Sequence, residues 1–266
     1  MKALFVALLL VIPLVGCTGQ EQADYKRGQK EADQGHFRIA LGFFDKVVKR
    51  NKQSPLTLEA AREAARISFY EIKDFERSIA YYQFIVLNSP DADERLKAQR
   101  QVASIYVENI QDYKASIKEL SKLVVMETEE TEKAQAQLSI ARSFYYLNDF
   151  GQSLSEVEAI LKSRIDINTR FSTLLLKGNI LVAQKNFTGA ANLFQEIIEE
   201  YPERSIEENV PISLAVCYEE ANDYKSAIRI LESHRDRHPN PEYIDIRIKR
   251  LSERQKNAPG AKGFRK

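Results

Sequence analysis

The chain has 266 residues, of which 44% are hydrophobic and 29% are charged, a composition typical of a folded protein rather than of a disordered one. It is too polar for a multi-span membrane protein, and its length allows either two ordinary domains or one elongated repeat array. The 39 basic and 38 acidic residues nearly cancel. This balance argues against nucleic-acid binding, because proteins that bind phosphate backbones usually carry a clear basic excess.

The N-terminal segment has the features of a secretory signal. Lys2 precedes the apolar run "ALFVALLLVIPLV", which is too short to span a bilayer and ends at small residues before Cys17. The motif "LVGC" at residues 14–17 resembles a bacterial lipobox, which implies cleavage before Cys17 and a diacylglycerol on its thiol. We therefore predict a signal peptide over 1–16, lipidation of Cys17 and a lipidated tether over 17–22. The alternative is an ordinary secretory signal that happens to precede a cysteine.

The residue after the cysteine bears on the location of the protein. Thr18 stands where lipoproteins retained in the inner membrane usually carry aspartate, so the resemblance implies the periplasmic face of the outer membrane. Each buried methylene group of an acyl chain contributes ~0.8 kcal/mol of binding free energy, so several acyl chains would hold the N-terminus firmly in a bilayer. The rest of the chain is then expected to be exposed to water.

Six aromatic residues recur in the same local setting along the remaining sequence. Their spacings are 38, 38, 37, 37 and 37 residues, which chance does not produce. A small residue follows each of them after three positions, and a bulky apolar residue follows four positions later. Offsets of three and four lie on one face of a helix, so each block ends in an amphipathic helix. The aromatic residues are Phe37, Phe75, Tyr113, Phe150, Phe187 and Tyr224, and the small markers are Ala40, Ser78, Ser116, Ser153, Ala190 and Ala227.

A second helical segment precedes each aromatic residue, and a short polar turn separates the two helices. In five blocks a small residue lies twelve positions before the small marker, whereas Arg66 occupies this position in the second block. Pro90, Pro202 and Pro239 lie twelve positions after their markers, where proline would end the second helix. The upstream small residues are Gly28, Ser104, Ala141, Gly178 and Ala215.

This pattern resembles the tetratricopeptide repeat, with small residues where two helices touch, an aromatic residue at the turn and a late proline. The resemblance implies an all-α fold, an α-solenoid of about six helix-turn-helix repeats over residues 23–240. The period of 37 to 38 residues exceeds the usual 34, so each repeat carries about one extra helical turn. Apolar residues at helical spacing predict a capping helix over 241–256, and the composition of 257–266 predicts a basic flexible tail.

The sequence offers little for catalysis or metal binding. It has no Gly-rich phosphate loop and no HExxH or GxSxG motif, and we predict neither an enzyme nor a cofactor. His234 and His238 lie four residues apart and could share a helix face, but two ligands make an incomplete metal site and packing is the favoured interpretation. Cys217 lies in an apolar helical pattern, which is typical of a small buried thiol.

Protein binding is the function that remains. In a tetratricopeptide solenoid the first helix of each repeat lines the concave face, so the resemblance implies a partner-binding groove on these helices. Tyr and Arg are typical anchors at interfaces, and Asn or Gln can hold the backbone of an extended peptide. The alternative is that the tyrosines only cover the packing stripe between repeats. The predicted groove residues are Tyr70, Glu71, Gln101, Glu108, Asn109, Arg142, Tyr145, Tyr146 and Asn179.

The lipobox and the repeats together predict a lipid-anchored periplasmic scaffold for other proteins at the outer membrane. Chain length and period are similar to those of the lipoprotein subunit of the outer-membrane β-barrel assembly machine, which implies a role in outer-membrane protein assembly. That family has five repeats and a linker rich in aromatic residues, Gly and Pro after the first, whereas this chain has six repeats and only "NKQSPLTLEA" there. The alternatives are a pilotin for a secretin or type IV pilus, and a periplasmic coordinator of envelope synthesis and division.

Overall fold

All regular elements are helical in the computed structural model over the residues that it describes, 16–50 and 54–257. The all-α fold predicted from the repeats is therefore confirmed. The chain divides into two compact units, an N-terminal unit that ends at Asp112 and a C-terminal unit that begins at Tyr113. The predicted signal peptide and basic tail lie outside the described residues, except for Gly16 and Asn257.

The N-terminal unit consists of two helical hairpins and the first helix of a third. Each helix packs against the next, and Leu41, Phe44 and Ile67 are fully buried in the core. The first helix of a hairpin is the one that precedes its turn. The first helices of the second and third hairpins end in π-helical turns, which we name π1 and π2. The elements are α1 (Gly16–Asp33), α2 (Phe37–Arg50), α3 (Pro55–Arg66), π1 (Ile67–Ile72), α4 (Phe75–Asn88), α5 (Ala92–Ser104) and π2 (Ile105–Ile110).

The C-terminal unit begins with the second helix of the third hairpin and continues through three more hairpins. Phe171, Phe194 and Leu214 are fully buried at its centre. The first helix of the last hairpin is interrupted at Asn209, whose φ of 56° lies in the left-handed region. The elements are α6 (Tyr113–Met126), α7 (Glu130–Tyr146), α8 (Phe150–Lys162), α9 (Ile167–Ala183), α10 (Phe187–Glu200), α11 (Pro202–Glu207), α12 (Val210–Glu220), α13 (Tyr224–His234), a 3-10 turn (Arg235–Arg237) and α14 (Pro241–Asn257).

The hairpin turns share one local design. In each turn the residue two positions before the aromatic residue has a positive φ, between 58° and 77°, which closes the first helix. In four turns the next residue caps the following helix, because its side chain accepts a hydrogen bond from the backbone N–H three positions on. The left-handed residues are Gly35, Lys73, Gln111, Asn148, Lys185 and Asn222, and the capping residues are Asp74, Asp149, Asn186 and Asp223.

The six small markers are all fully buried, and those within one unit lie where the two helices of a hairpin touch, as the sequence predicts. The contact is close in the fifth repeat, where a Cβ atom on Gly178 would lie 2.3 Å from Cε1 of Phe194. Ser78 and Ser153 place their hydroxyl groups within the contact, and each donates to a backbone carbonyl of the first helix. The Ser153 hydroxyl donates to the carbonyl oxygen of Ala141 at 2.7 Å, so a polar side chain is buried without loss of hydrogen bonding.

The π-helical turns explain both the unequal spacing and the exception at Arg66. Intervals of 38 residues contain π1 or π2, and intervals of 37 contain neither, because a π turn adds one residue to a helix. In the second repeat the small contact residue therefore lies thirteen positions before the marker: the Ser78 hydroxyl donates to the Ala65 carbonyl at 3.1 Å. Arg66 is exposed, and in the third repeat Ala103 is buried while Ser104 is only half-buried.

The two ends of the described chain are helical. Helix α1 begins at Gly16, so residues 17–22, which we expected to form a tether, continue directly into the first hairpin. At the other end, the predicted capping helix over 241–256 corresponds to α14, which packs on α13 and buries Ile244 and Leu251.

Candidate functional site

The N-terminal unit presents an exposed tyrosine on a small aromatic cluster. Tyr70 lies in π1 and its ring centroid is 4.7 Å from that of Phe69 in an edge-to-face arrangement. Phe69 in turn contacts Phe75, the aromatic residue of the turn, at 5.7 Å. These contacts fix the tyrosine ring, yet Tyr70 remains 57% exposed. A rigid and exposed aromatic side chain is well suited to bind a partner, because little conformational entropy is lost on binding.

The C-terminal unit repeats this arrangement at the end of α7. Tyr145 lies 5.7 Å from Tyr146 and 5.8 Å from Phe150, the aromatic residue of its turn. Tyr146 also stacks on Tyr113 at 4.8 Å, with the two rings only 20° from parallel. Although these rings support it, Tyr146 is 56% exposed.

The rings of the two clusters can be matched by their distance from the small contact residues Ala65 and Ala141. Phe69 and Tyr145 lie four residues after them, and Tyr70 and Tyr146 lie five residues after them. This correspondence places the additional residue of π1 at Glu71, directly beside the exposed tyrosine. By the same count the additional residue of π2 is Asn109. Both side chains are exposed, and Glu71 lies 3.6 Å from the Arg66 guanidinium. The π turns thus insert an exposed polar residue at the end of the first helix.

The nine predicted groove residues fall into both units. Asn179 is half-buried on α9, and Tyr145 is half-buried beneath Tyr146, whereas the other seven side chains are exposed. A single groove through all nine residues stays a prediction. The N-terminal unit holds Tyr70, Glu71, Gln101, Glu108 and Asn109, and the C-terminal unit holds Arg142, Tyr145, Tyr146 and Asn179.

An open depression of about 400 Å³ in the N-terminal unit is lined on one side by Glu71 and Ile72 of π1. It lies between the first hairpin turn and the end of π1. Phe37, Ile39 and Ile72 give it an apolar wall, and Ile39 is 54% exposed. His36, Arg38 and Glu71 lie at the same depression, so it combines apolar contact area with charged groups of both signs.

A second depression of about 560 Å³ lies between α3 and the start of α5. Its centre is an ion pair in which the Arg62 guanidinium donates two hydrogen bonds to the Glu94 carboxylate. Glu94 also accepts a hydrogen bond from the Ser89 hydroxyl at 2.5 Å. The hydrogen bond from Arg62 is the main reason that the pKa of Glu94 is lowered. Sequence reasoning missed this pair, because nothing in the pattern links residues on two different first helices.

His234 and Cys217, the groups considered for chemistry, have structural roles. Among residues 16–50 and 54–257, no three His, Cys, Asp or Glu side chains are placed to hold a metal ion. Nδ1 of His234 lies 3.0 Å from the carbonyl oxygen of Ile230, within its own helix. Cys217 is fully buried, and burial raises the pKa of its thiol to about 11. No helix of the described chain is both long and apolar enough to cross a bilayer.

The repeats and their contacts define a tetratricopeptide fold, and comparison with known families agrees. One profile of the tetratricopeptide repeat matches residues 25–93 and 138–205, and a second matches residues 181–247. The chain belongs to the tetratricopeptide repeat family. This fold typically serves as a non-catalytic scaffold for protein–protein interaction, and no enzyme family is indicated.

Solved structures show the same fold. A tetratricopeptide repeat protein from Parabacteroides merdae is 14% identical over 90% of this chain and 89% of its own length, with a TM-score of 0.54. YrrB, described as a TPR protein with an unusual peptide-binding site, is 15% identical over 78% of this chain and 97% of its own, with a TM-score of 0.52. At these identities the likeness concerns the fold alone. No curated protein matches the sequence.

Proposed function

We propose that this protein is a lipid-anchored scaffold that binds other proteins at the periplasmic face of the outer membrane and acts in outer-membrane protein assembly. The observation that carries the binding function is the repeated aromatic cluster. In each unit an exposed tyrosine, Tyr70 or Tyr146, is held against other aromatic rings at the end of the first helix of a hairpin.

A role in packing alone does not explain these two tyrosines, because a side chain needed only for packing would be buried. Tyr70 and Tyr146 remain more than half exposed even though each has aromatic neighbours. Tyrosine contributes strongly to protein interfaces because its ring is large, rigid and able to donate a hydrogen bond. The exposed polar residues Glu71 and Arg142 on the same first helices offer charged partners for a bound chain. A solved structure of similar fold, YrrB, has a peptide-binding site, which supports the same use here.

The anchor is proposed from the N-terminal sequence. The motif "LVGC" ends at Cys17, and helix α1 begins one residue earlier. Lipidation of Cys17 would hold the first hairpin at a membrane, while Thr18 in place of aspartate supports the outer membrane as its location. A scaffold held there could keep partner proteins close to the site of their assembly.

Purification of the protein from detergent-solubilised membranes tests the proposal. We expect a fatty-acid analogue to label the wild-type chain but not Cys17→Ser, and we expect co-purification of subunits of an outer-membrane assembly machine. Recovery of a secretin or of division proteins would contradict the assembly role and leave the scaffold intact. An absence of label on Cys17 would refute the anchor.

A further inference from the structure

One edge of the N-terminal unit collects the start of α1, the end of α2, the start of α3 and the end of α4. Consecutive helices run in opposite directions, which brings these ends together. The Arg50 guanidinium donates to the Asp24 carboxylate at 2.9 Å, and the Thr57 hydroxyl donates to Glu21 at 3.2 Å. We name this the anchor edge, comprising residues 19–24, 46–50, 54–58 and 87–90.

The connection between Cys17 and the anchor edge is short and helical. Helix α1 runs without interruption from Gly16 to Asp33, and Glu21 is already buried, with only 3% of its surface exposed. Four residues of α-helix separate Cys17 from Glu21, a rise of ~6 Å. The same four residues in an extended tether would instead span ~14 Å. Acyl chains on Cys17 would therefore hold the anchor edge within about one helical turn of the lipid.

The side chains at this edge suit contact with a lipid surface. Leu87, in the last turn of α4, is 81% exposed, more than any other large hydrophobic residue described in the N-terminal unit. The Lys49 side chain is 77% exposed at the end of α2 and is held only loosely, 3.6 Å from Asp45. An exposed leucine gains from burial in lipid, and an exposed lysine gains from anionic headgroups. The hairpin-turn edge of the same unit carries Ile39 and Tyr70 instead.

We infer that the anchor edge lies against the bilayer that holds the acyl chains of Cys17, with Leu87 inserted at the level of the headgroups and upper acyl chains. This inference rests on the proposed lipidation. It fixes an orientation for the N-terminal unit: the hairpin turns, with Tyr70 and the depression lined by Glu71, point away from the membrane. A flexible tether would impose no such orientation.

Fluorescence quenching by lipids tests the orientation. The acylated full chain carries Leu87→Cys or, as the matched control, Ile39→Cys, an exposed apolar position at the opposite edge. Each cysteine is labelled with the fluorophore NBD, which Cys217 escapes because it is fully buried. The proteins are reconstituted in vesicles of phosphatidylethanolamine and phosphatidylglycerol that contain a quencher on carbon 5 of an acyl chain. Because Leu87 and Ile39 are both exposed, neither substitution removes a core contact.

We expect at least twofold stronger quenching at position 87 than at position 39. Equal quenching at both positions, or stronger quenching at position 39, would overturn the inference while the chain still floats with vesicles. Failure of the wild-type chain to float would overturn both the lipid anchor and the orientation. If a co-purified protein covers the label at position 87 in detergent without lipid, the anchor edge is a binding surface for that protein. This result would also overturn the inference.

Discussion

Glycine and alanine set the distance between the paired helices. In the fifth repeat the Phe194 ring packs on the backbone of Gly178, where no side-chain atom would fit. The same contact recurs in the first repeat, where a Cβ on Gly28 would lie 2.8 Å from Cε1 of Phe44. Sequence spacing alone located both glycines, because a small residue at a fixed distance from the marker has one physical explanation: the close approach of two helices.

Gly178→Ala is expected to destabilise the fold. The new methyl group would displace the buried Phe194 ring, and overpacking of this kind costs about 1–3 kcal/mol, more than the gain of up to ~1 kcal/mol in helix propensity. Gly42→Ala is the matched control, since its Cβ would meet no atom within 4 Å. It should stabilise the helix by up to ~1 kcal/mol. Urea unfolding checks both, and equal effects of the two substitutions would contradict the packing account.

Acid should weaken the cap of α9. The Asp166 carboxylate accepts hydrogen bonds from the Thr169 hydroxyl at 2.5 Å and from two backbone N–H groups, and the hydroxyl is the main reason that its pKa is lowered. A lowered pKa in the folded state contributes stability that is present above the unfolded value, ~3.9, and is lost as the pH falls through the folded value.

The variant Asp166→Asn isolates this effect, because asparagine caps helices as well as aspartate but does not titrate. The thermal unfolding temperature should therefore fall less steeply between pH 6 and pH 2 for the variant than for the wild type. At neutral pH the two proteins should unfold at nearly the same temperature. Identical pH profiles would show that Asp166 does not contribute to acid sensitivity.

At the scale of the helical hairpin, the sequence shows the repeat period but does not explain why the spacing changes from 38 to 37 residues. Spacings of 38 and 37 residues look equivalent to pattern reasoning, and Arg66 had no explanation as an exception. The cause is the backbone hydrogen bonding of π1 and π2, which has no sequence signature comparable to a glycine or proline. For the same reason the interruption at Asn209 was not predicted, although the hairpins themselves were.

Deletion of Glu71 tests the hairpin account. It should convert π1 to ordinary α-helix and give the second repeat the 37-residue spacing found elsewhere, so we expect helicity to be retained and stability to change by less than ~1 kcal/mol. Deletion of Ala183 is the control, because α9 has no additional residue to lose. It should move Gly178 away from Phe194 and cost several kcal/mol. Circular dichroism with urea titration distinguishes the two, and equal losses would refute the assignment of Glu71.

At the scale of the whole molecule, the repeats continue through both units, and the family and fold follow from them. The binding residues do not follow in the same way. Tyr70 and Tyr146 could be proposed from their residue type and helix. Their support by the adjacent rings of Phe69 and Tyr145, and of Tyr146 by Tyr113, depends on side-chain packing that a pattern does not encode. The partner depends on surface chemistry that the repeat leaves free to vary.

The capture of partner proteins by a tyrosine variant tests the central claim most directly. The double variant Tyr70→Ala with Tyr146→Ala is compared with Tyr243→Ala, which removes a tyrosine that is 42% exposed on α14. The partners recovered by the wild-type chain are quantified for each variant, with circular dichroism as the check on folding. The scaffold account predicts about a tenfold or greater loss of capture for the double variant, since interface tyrosines often contribute more than ~1 kcal/mol each, and little change for Tyr243→Ala. Unchanged capture by a folded double variant would contradict it.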